Sequence, residues 1–133
     1  MKKPKETEWY TFDTTSKYPD HRSCDCVIRA ISLATGKTWL EVFDDLTEMA
    51  REMYRIPNEE KVYIKYLEKI GWKKHNQPWK TDCDKYTAKE FTNVVRGTAI
   101  LKLAHHLVCV KDGKLHDIWD CGGKCVGVYW TNE

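Results

Sequence analysis

The stretch HHLVCVKDGKLHDIWD, residues 105–120, decides how the second half of the chain is built. Asp112-Gly113 between two apolar runs is a strong signal for a two-residue hairpin turn, so residues 106–111 and 114–120 are expected to pair as antiparallel strands. Across that turn Lys111 faces Lys114, Val110 faces Leu115, Cys109 faces His116, Val108 faces Asp117 and His106 faces Trp119. Side chains alternate along a strand, which puts His106, Val108, Asp117 and Trp119 on one face and His105, His116 and Asp120 on the other. His106 then has Asp117 diagonally across from it and Trp119 beside both. A carboxylate that fixes an imidazole's tautomer, under an indole that keeps water off their hydrogen bond, is what a general base needs. His105 with Asp120 is the mirror arrangement, which a bulge or one-residue slip would select.

Working outward, TAILKLA (98–104) and VGVYW (126–130) read as further strands, the second after the loop CGGKC (121–125). The first half is helical. CVIRAISLATG (26–36) is apolar almost all round and predicts a buried helix, with Ser23 or Asp25 to cap its start and Gly36 to end it in a left-handed conformation. Thr38 and Glu41 form a capping box for a second helix, along which Trp39, Val42, Phe43, Leu46, Met49 and Met53 recur at helical spacing. A third helix is expected from an Asn58 cap to Gly71, and a short fourth over residues 88–95. Before them come an extended piece, Trp9 to Phe12, and a polar loop, Asp13 to Ser23. The fold class is therefore α+β, a buried N-terminal helix plus further helices packed on a C-terminal antiparallel sheet. At 133 residues one domain is expected, with residues 1–8 as a flexible tail.

Composition narrows the function. Lys and Arg number 22 against 20 Asp and Glu, and a net charge of +2 gives no electrostatic footprint for specific nucleic-acid binding. No apolar stretch is long enough to cross a bilayer and no secretory signal opens the chain, so a cytoplasmic protein with no membrane partner is expected. In that setting the six cysteines read as reduced thiols. Six Trp and seven Tyr are enough to wall a groove as well as fill a core, and Trp72, Trp79, Trp119 and Trp130 are candidates for the groove.

A thiol becomes a good nucleophile near neutral pH when a helix N-terminus and an imidazolium stabilise its thiolate. Cys26 opens the buried helix, where the first of these is available; Cys24, in the loop just before it, stands second. Taken alone, Cys26 would read as a small buried hydrophobe. The His106 and Asp117 pair on the later hairpin gives it a chemical partner.

In these two segments the sequence resembles the papain-like cysteine peptidases. Asp25-Cys26 followed by VIRAISLATG looks like that family's nucleophile at the start of a central helix. His106-Leu107-Val108 and Asp117-Ile118-Trp119 look like its histidine at a strand start, followed by an Asn or Asp with a Trp two residues beyond. Short phage and prophage proteins with a DCVIRAI-type helix start and an HLVxVKDGxxxDxWD-type hairpin are similar in the same way. The resemblance implies a papain-like fold and a Cys26–His106–Asp117 triad that acts through a thioester acyl-enzyme, with Trp119 as shield, no cofactor, and a peptide or protein substrate.

One position departs from the family. Where papain-like enzymes usually carry a Gln about six residues before the nucleophile, this chain has Asp20, whose carboxylate cannot donate to an oxyanion. The oxyanion hole would then need the Cys26 backbone N–H with His21, Arg22 or Ser23. A non-catalytic alternative follows, a phage-encoded factor that binds a host protein or counters host defence. A third reading is structural: Cys24 and Cys26 with Cys121 and Cys125 are ligand types for a zinc, though CxC and CxxxC spacings suit one poorly.

Overall fold

A computed structural model describes residues 5–15 and 25–132. Its elements are β1 (Tyr10–Phe12), α1 (Cys26–Thr35), α2 (Trp39–Met53), α3 (Glu60–Lys69), β2 (Lys73–His75), β3 (Trp79–Thr81), β4 (Asp84–Lys85), α4 (Ala88–Phe91), β5 (Ala99–Leu103), β6 (His106–Lys111), β7 (Lys114–Asp117) and β8 (Tyr129–Thr131). Four helices pack on a six-stranded sheet of order β1-β7-β6-β5-β8-β2, and β3 and β4 pair separately. The chain is α+β. No helix among the described residues is long and apolar enough to cross a membrane.

The hairpin forms in the expected register, Lys111 opposite Lys114, Val110 opposite Leu115 and Cys109 opposite His116. Asp112 and Gly113 both adopt positive φ, 55° and 75°, the conformation such a turn demands. β7 stops at Asp117, three residues short of the expected strand, where the Ile118 N–H turns to the Asp117 carboxylate at 2.8 Å instead of continuing the ladder. The sheet also departs from the all-antiparallel expectation. β1 runs parallel to β7, Tyr10 beside Leu115 and Phe12 beside Asp117, so the mixed sheet joins both ends of the chain.

Both faces of the sheet are covered. On one, Ile100, Leu107 and Trp130 pack with Ile31 of α1, Leu46 of α2 and Leu67 of α3. On the other, Leu101, Val108, Val110 and Leu115 pack with Tyr10, Phe91 and Val126. That double burial explains why β5 and β6 read as continuous apolar runs rather than alternating ones.

Several helix boundaries follow the sequence. Thr38 and Glu41 make both halves of the capping box, and Gly36 ends α1 at φ 80° with its N–H on the Ser32 carbonyl. The expected Asn58 cap is displaced: Glu59 holds that position, without a side-chain bond, and α3 ends at Lys69. Asp25 does precede α1, yet its carboxylate caps nothing, because Arg29 and Trp39 engage it instead. The segment expected to be a free tail is partly tied down, since Glu6 accepts from the Thr11 hydroxyl at 2.6 Å and the Phe12 N–H at 2.7 Å.

Candidate active site

His106 opens β6 and Asp117 closes β7, so both stand at one end of the sheet, beside the first turn of α1. The His106 Nε2 lies 2.5 Å from Asp117 Oδ2, with Asp117 fully buried. The Cys26 thiol adjoins the same imidazole, and its electrostatics are set by hydrogen bonding with His106 and with the Leu107 backbone N–H. Trp119 lies against the imidazole with ring centroids 4.9 Å apart at 54°. Cys26, His106, Asp117 and Trp119 thus gather at one place from segments some 80 residues apart in sequence.

Burial works against charge on the Cys26 sulfur. The His106 hydrogen bond, the Leu107 N–H and the nearby positive charges of His106 and Arg29 outweigh it, and the thiol titrates below its ordinary value. Burial likewise opposes a charged His106, yet its bonds to Asp117 and Cys26 raise its pKa to about 9. With the thiol lowered and the imidazole raised, the two groups favour a thiolate–imidazolium pair. The two buried thiols behave in the opposite way: burial pushes Cys109 up to about 12, and burial together with the Asp117 charge pushes Cys121 up.

The residue that sequence reasoning missed is Arg29. It is 4% exposed, one turn along α1 from Cys26, and it joins two buried carboxylates: one guanidinium nitrogen meets Asp25 Oδ1 and the other lies 2.8 Å from Asp117 Oδ1. Asp25 also accepts the Trp39 indole N–H at 3.1 Å. Asp117 is therefore held by Arg29 and the Ile118 N–H through Oδ1, and presents Oδ2 to His106. The signal was available as an arginine inside an otherwise apolar helix, four residues after an aspartate. A buried arginine in such a place needs an acid, and one helical turn back supplies it.

The mirror pair does not form. His105 sits exposed in the β5–β6 turn at φ 53°, and Asp120 accepts the Trp9 indole N–H at 3.1 Å. His116, which shares their face, turns to Asp13 at 3.1 Å. The candidates Arg22, Ser23, His21, Asp20 and Cys24 lie outside the described residues.

The zinc quartet is not assembled by its described members, Cys26, Cys121 and Cys125. Among the described residues the ligand-type group that gathers is His106, Asp117 and Cys121, all within 4.8 Å of one another. Its spacing is that of hydrogen bonds: the Cys121 thiol donates to Asp117 Oδ2 at 3.4 Å, and the 2.5 Å from nitrogen to oxygen is shorter than the roughly 3.3 Å between two ligands of one tetrahedral zinc. Cys125 is exposed, and all five described cysteines are free thiols.

Cys26 and His106 line a cleft of about 770 Å³ that runs past the β5–β6 turn toward α3 and the sheet edge at β2. The expected tryptophan walls are not there. Trp72 and Trp130 are core residues, Trp79 and Trp119 are exposed outside the lining, and the aromatic that does line the cleft is Tyr63. No protein-family model matches the sequence, and neither a curated protein nor a solved structure matches it.

Proposed function

We propose that the chain is a cysteine hydrolase acting on peptide, isopeptide or other amide bonds in the cytoplasm. The observation that carries this reading is the contact series from the Cys26 sulfur through His106 to a buried, doubly held Asp117. The Cys26 thiolate attacks the amide carbonyl carbon, and the C=O electron pair moves onto oxygen. As the tetrahedral adduct collapses, the C–N bond breaks and the leaving nitrogen takes the proton from His106, leaving a thioester. Neutral His106 then takes a proton from water, whose oxygen attacks the thioester and expels the thiolate. Asp117 keeps the ring oriented and stabilises its charged form, while Trp119 shelters their bond. The resemblance to papain-like peptidases and to short phage proteins supports the same assignment of roles.

Iodoacetamide tests the nucleophile without knowledge of the substrate. At pH 7 Cys26 is expected to alkylate well ahead of the exposed Cys83 and Cys125, as mapped by peptide mass spectrometry. Its rate should rise in two steps, one below the free-thiol value of ~8.5 as the thiolate forms and one near pH 9 as His106 loses its proton. Equal labelling of Cys26, Cys83 and Cys125 would overturn the reading. Asp20, in place of the usual oxyanion donor, favours a second one, a phage-type papain-like protein that keeps the fold and binds a host protein without turnover. That alternative is distinguished by selective alkylation of Cys26 with no acyl transfer from an activated thioester.

A further inference from the structure

Resting on the proposed role of Cys26 only for where the reaction occurs, we infer that the cleft is built for an acidic polypeptide, one carrying Asp or Glu beside the bond presented to the thiol. Apart from the groups of the Cys26 site, its lining carries Lys74, Lys85, Lys102 and His105 against one carboxylate, Glu60. Glu60 is already engaged, 2.7 Å from the Lys102 Nζ. Three lysines less one glutamate leave +2 in the cleft, as much as the net charge of the whole chain. The formal charges of all the other residues therefore sum to zero.

Neither Lys74 nor Lys85 has a carboxylate within 4.0 Å among the described residues. Lys85 instead stands 5.8 Å from the centre of the Trp79 ring. Lys80 is by contrast partnered: it meets Glu90 at 2.6 Å and Asp84 at 3.9 Å. Lys74 and Lys85, with no acid in reach, both line the concavity that leads to the Cys26 sulfur. A cleft lined by one sign of charge between low-dielectric walls concentrates counter-charged ligands and speeds their arrival. The occupant is a polypeptide because a thiolate attacks acyl carbon, and the Asn58 amide in the lining suits a peptide backbone, as does the Gln77 side-chain carbonyl, whose amide N–H is taken by the Val126 carbonyl at 2.8 Å.

Two measurements decide this. The first is the ratio of Cys26 alkylation rates with iodoacetate and iodoacetamide at pH 7. Both reagents read the same thiolate, so the ratio isolates the field that the anion meets. In 20 mM NaCl the ratio is expected to fall at least fivefold in the Lys74→Glu, Lys85→Glu double variant, with the iodoacetamide rate unchanged, and the difference should shrink in 500 mM NaCl. An unchanged ratio with a normal iodoacetamide rate overturns the acidic preference and leaves the nucleophile intact. The second uses Cys26→Ala protein and the fluorescence anisotropy of a labelled Glu-rich hexapeptide, a Lys-rich one and a thymidine hexanucleotide. The Glu-rich peptide should bind at least tenfold more tightly than the Lys-rich one and lose that advantage in the double variant. Equal peptide affinities, or tighter binding of the oligonucleotide, overturn the proposal. Because this arm needs no reactive thiol, it decides the charge preference even if alkylation shows Cys26 to be an ordinary cysteine.

Discussion

Exchanging Arg29 for methionine is expected to lower the unfolding free energy by about 3–5 kcal/mol, the cost of breaking a buried ion pair from one side. Methionine fills much of the same space, so the loss reflects charge rather than a cavity. Asp25 and Asp117 are 6% and 0% exposed, and Arg29 is the cation both of them meet. Domains of this size are stable by about 5–15 kcal/mol, so the variant should stand at the edge of folding at 37 °C. Urea unfolding gives the number. Adding Asp25→Asn to Arg29→Met removes one of the stranded charges and should recover at least ~1 kcal/mol, a non-additivity typical of groups in one network. A loss below ~1 kcal/mol in the single variant would show that the two carboxylates are satisfied without the guanidinium.

The second large effect is chemical. His106→Gln keeps a hydrogen-bonding side chain of similar size and removes the proton carrier. A thiol of ordinary pKa near 8.5 is about 3% ionised at pH 7, so the iodoacetamide rate of Cys26 should drop, with a ceiling of about 30-fold set by a fully formed thiolate. Burial without its compensating partner pushes in the same direction. The step near pH 9 should vanish from the profile, since it belongs to the imidazole. Any amide turnover should fall by at least ~100-fold, the usual contribution of general acid–base catalysis. A variant that retained the wild-type rate and both steps would separate the histidine from the thiol's chemistry.

The parts of this architecture that could be read from residues were those with local causes. Asp112-Gly113 determines a turn, the turn fixes the register, and alternation then places His106 and Asp117 on one side. Thr38 with Glu41 specifies a helix start in the same self-contained way. What escaped depended on distant partners. β1, β2 and β3 have three residues each and β4 two, too few to show alternation, and nothing within Tyr10–Phe12 says that its neighbour is β7 or that the pairing is parallel. Asp25 looked like a cap because a capping aspartate and an aspartate bound to arginine one turn later are the same residue in sequence. Arg29 itself was hidden by its surroundings, a charge among apolar neighbours whose second acid lies 88 positions away. Tryptophan content likewise says nothing of location, and Trp72 and Trp130 went to the core for their area.

The distances along the chain have a consequence for biogenesis. Tyr10, whose hydroxyl donates to the Asp117 carbonyl at 3.1 Å, is 107 positions from it, and β1 can dock only when β7 exists. During translation, α1 to α3 emerge long before His106 and Asp117 have been made. Until then Cys26 lacks both the imidazole beside it and the carboxylate behind that ring. The proposed nucleophile therefore meets its imidazole and the carboxylate behind it only after residue 117 has left the ribosome.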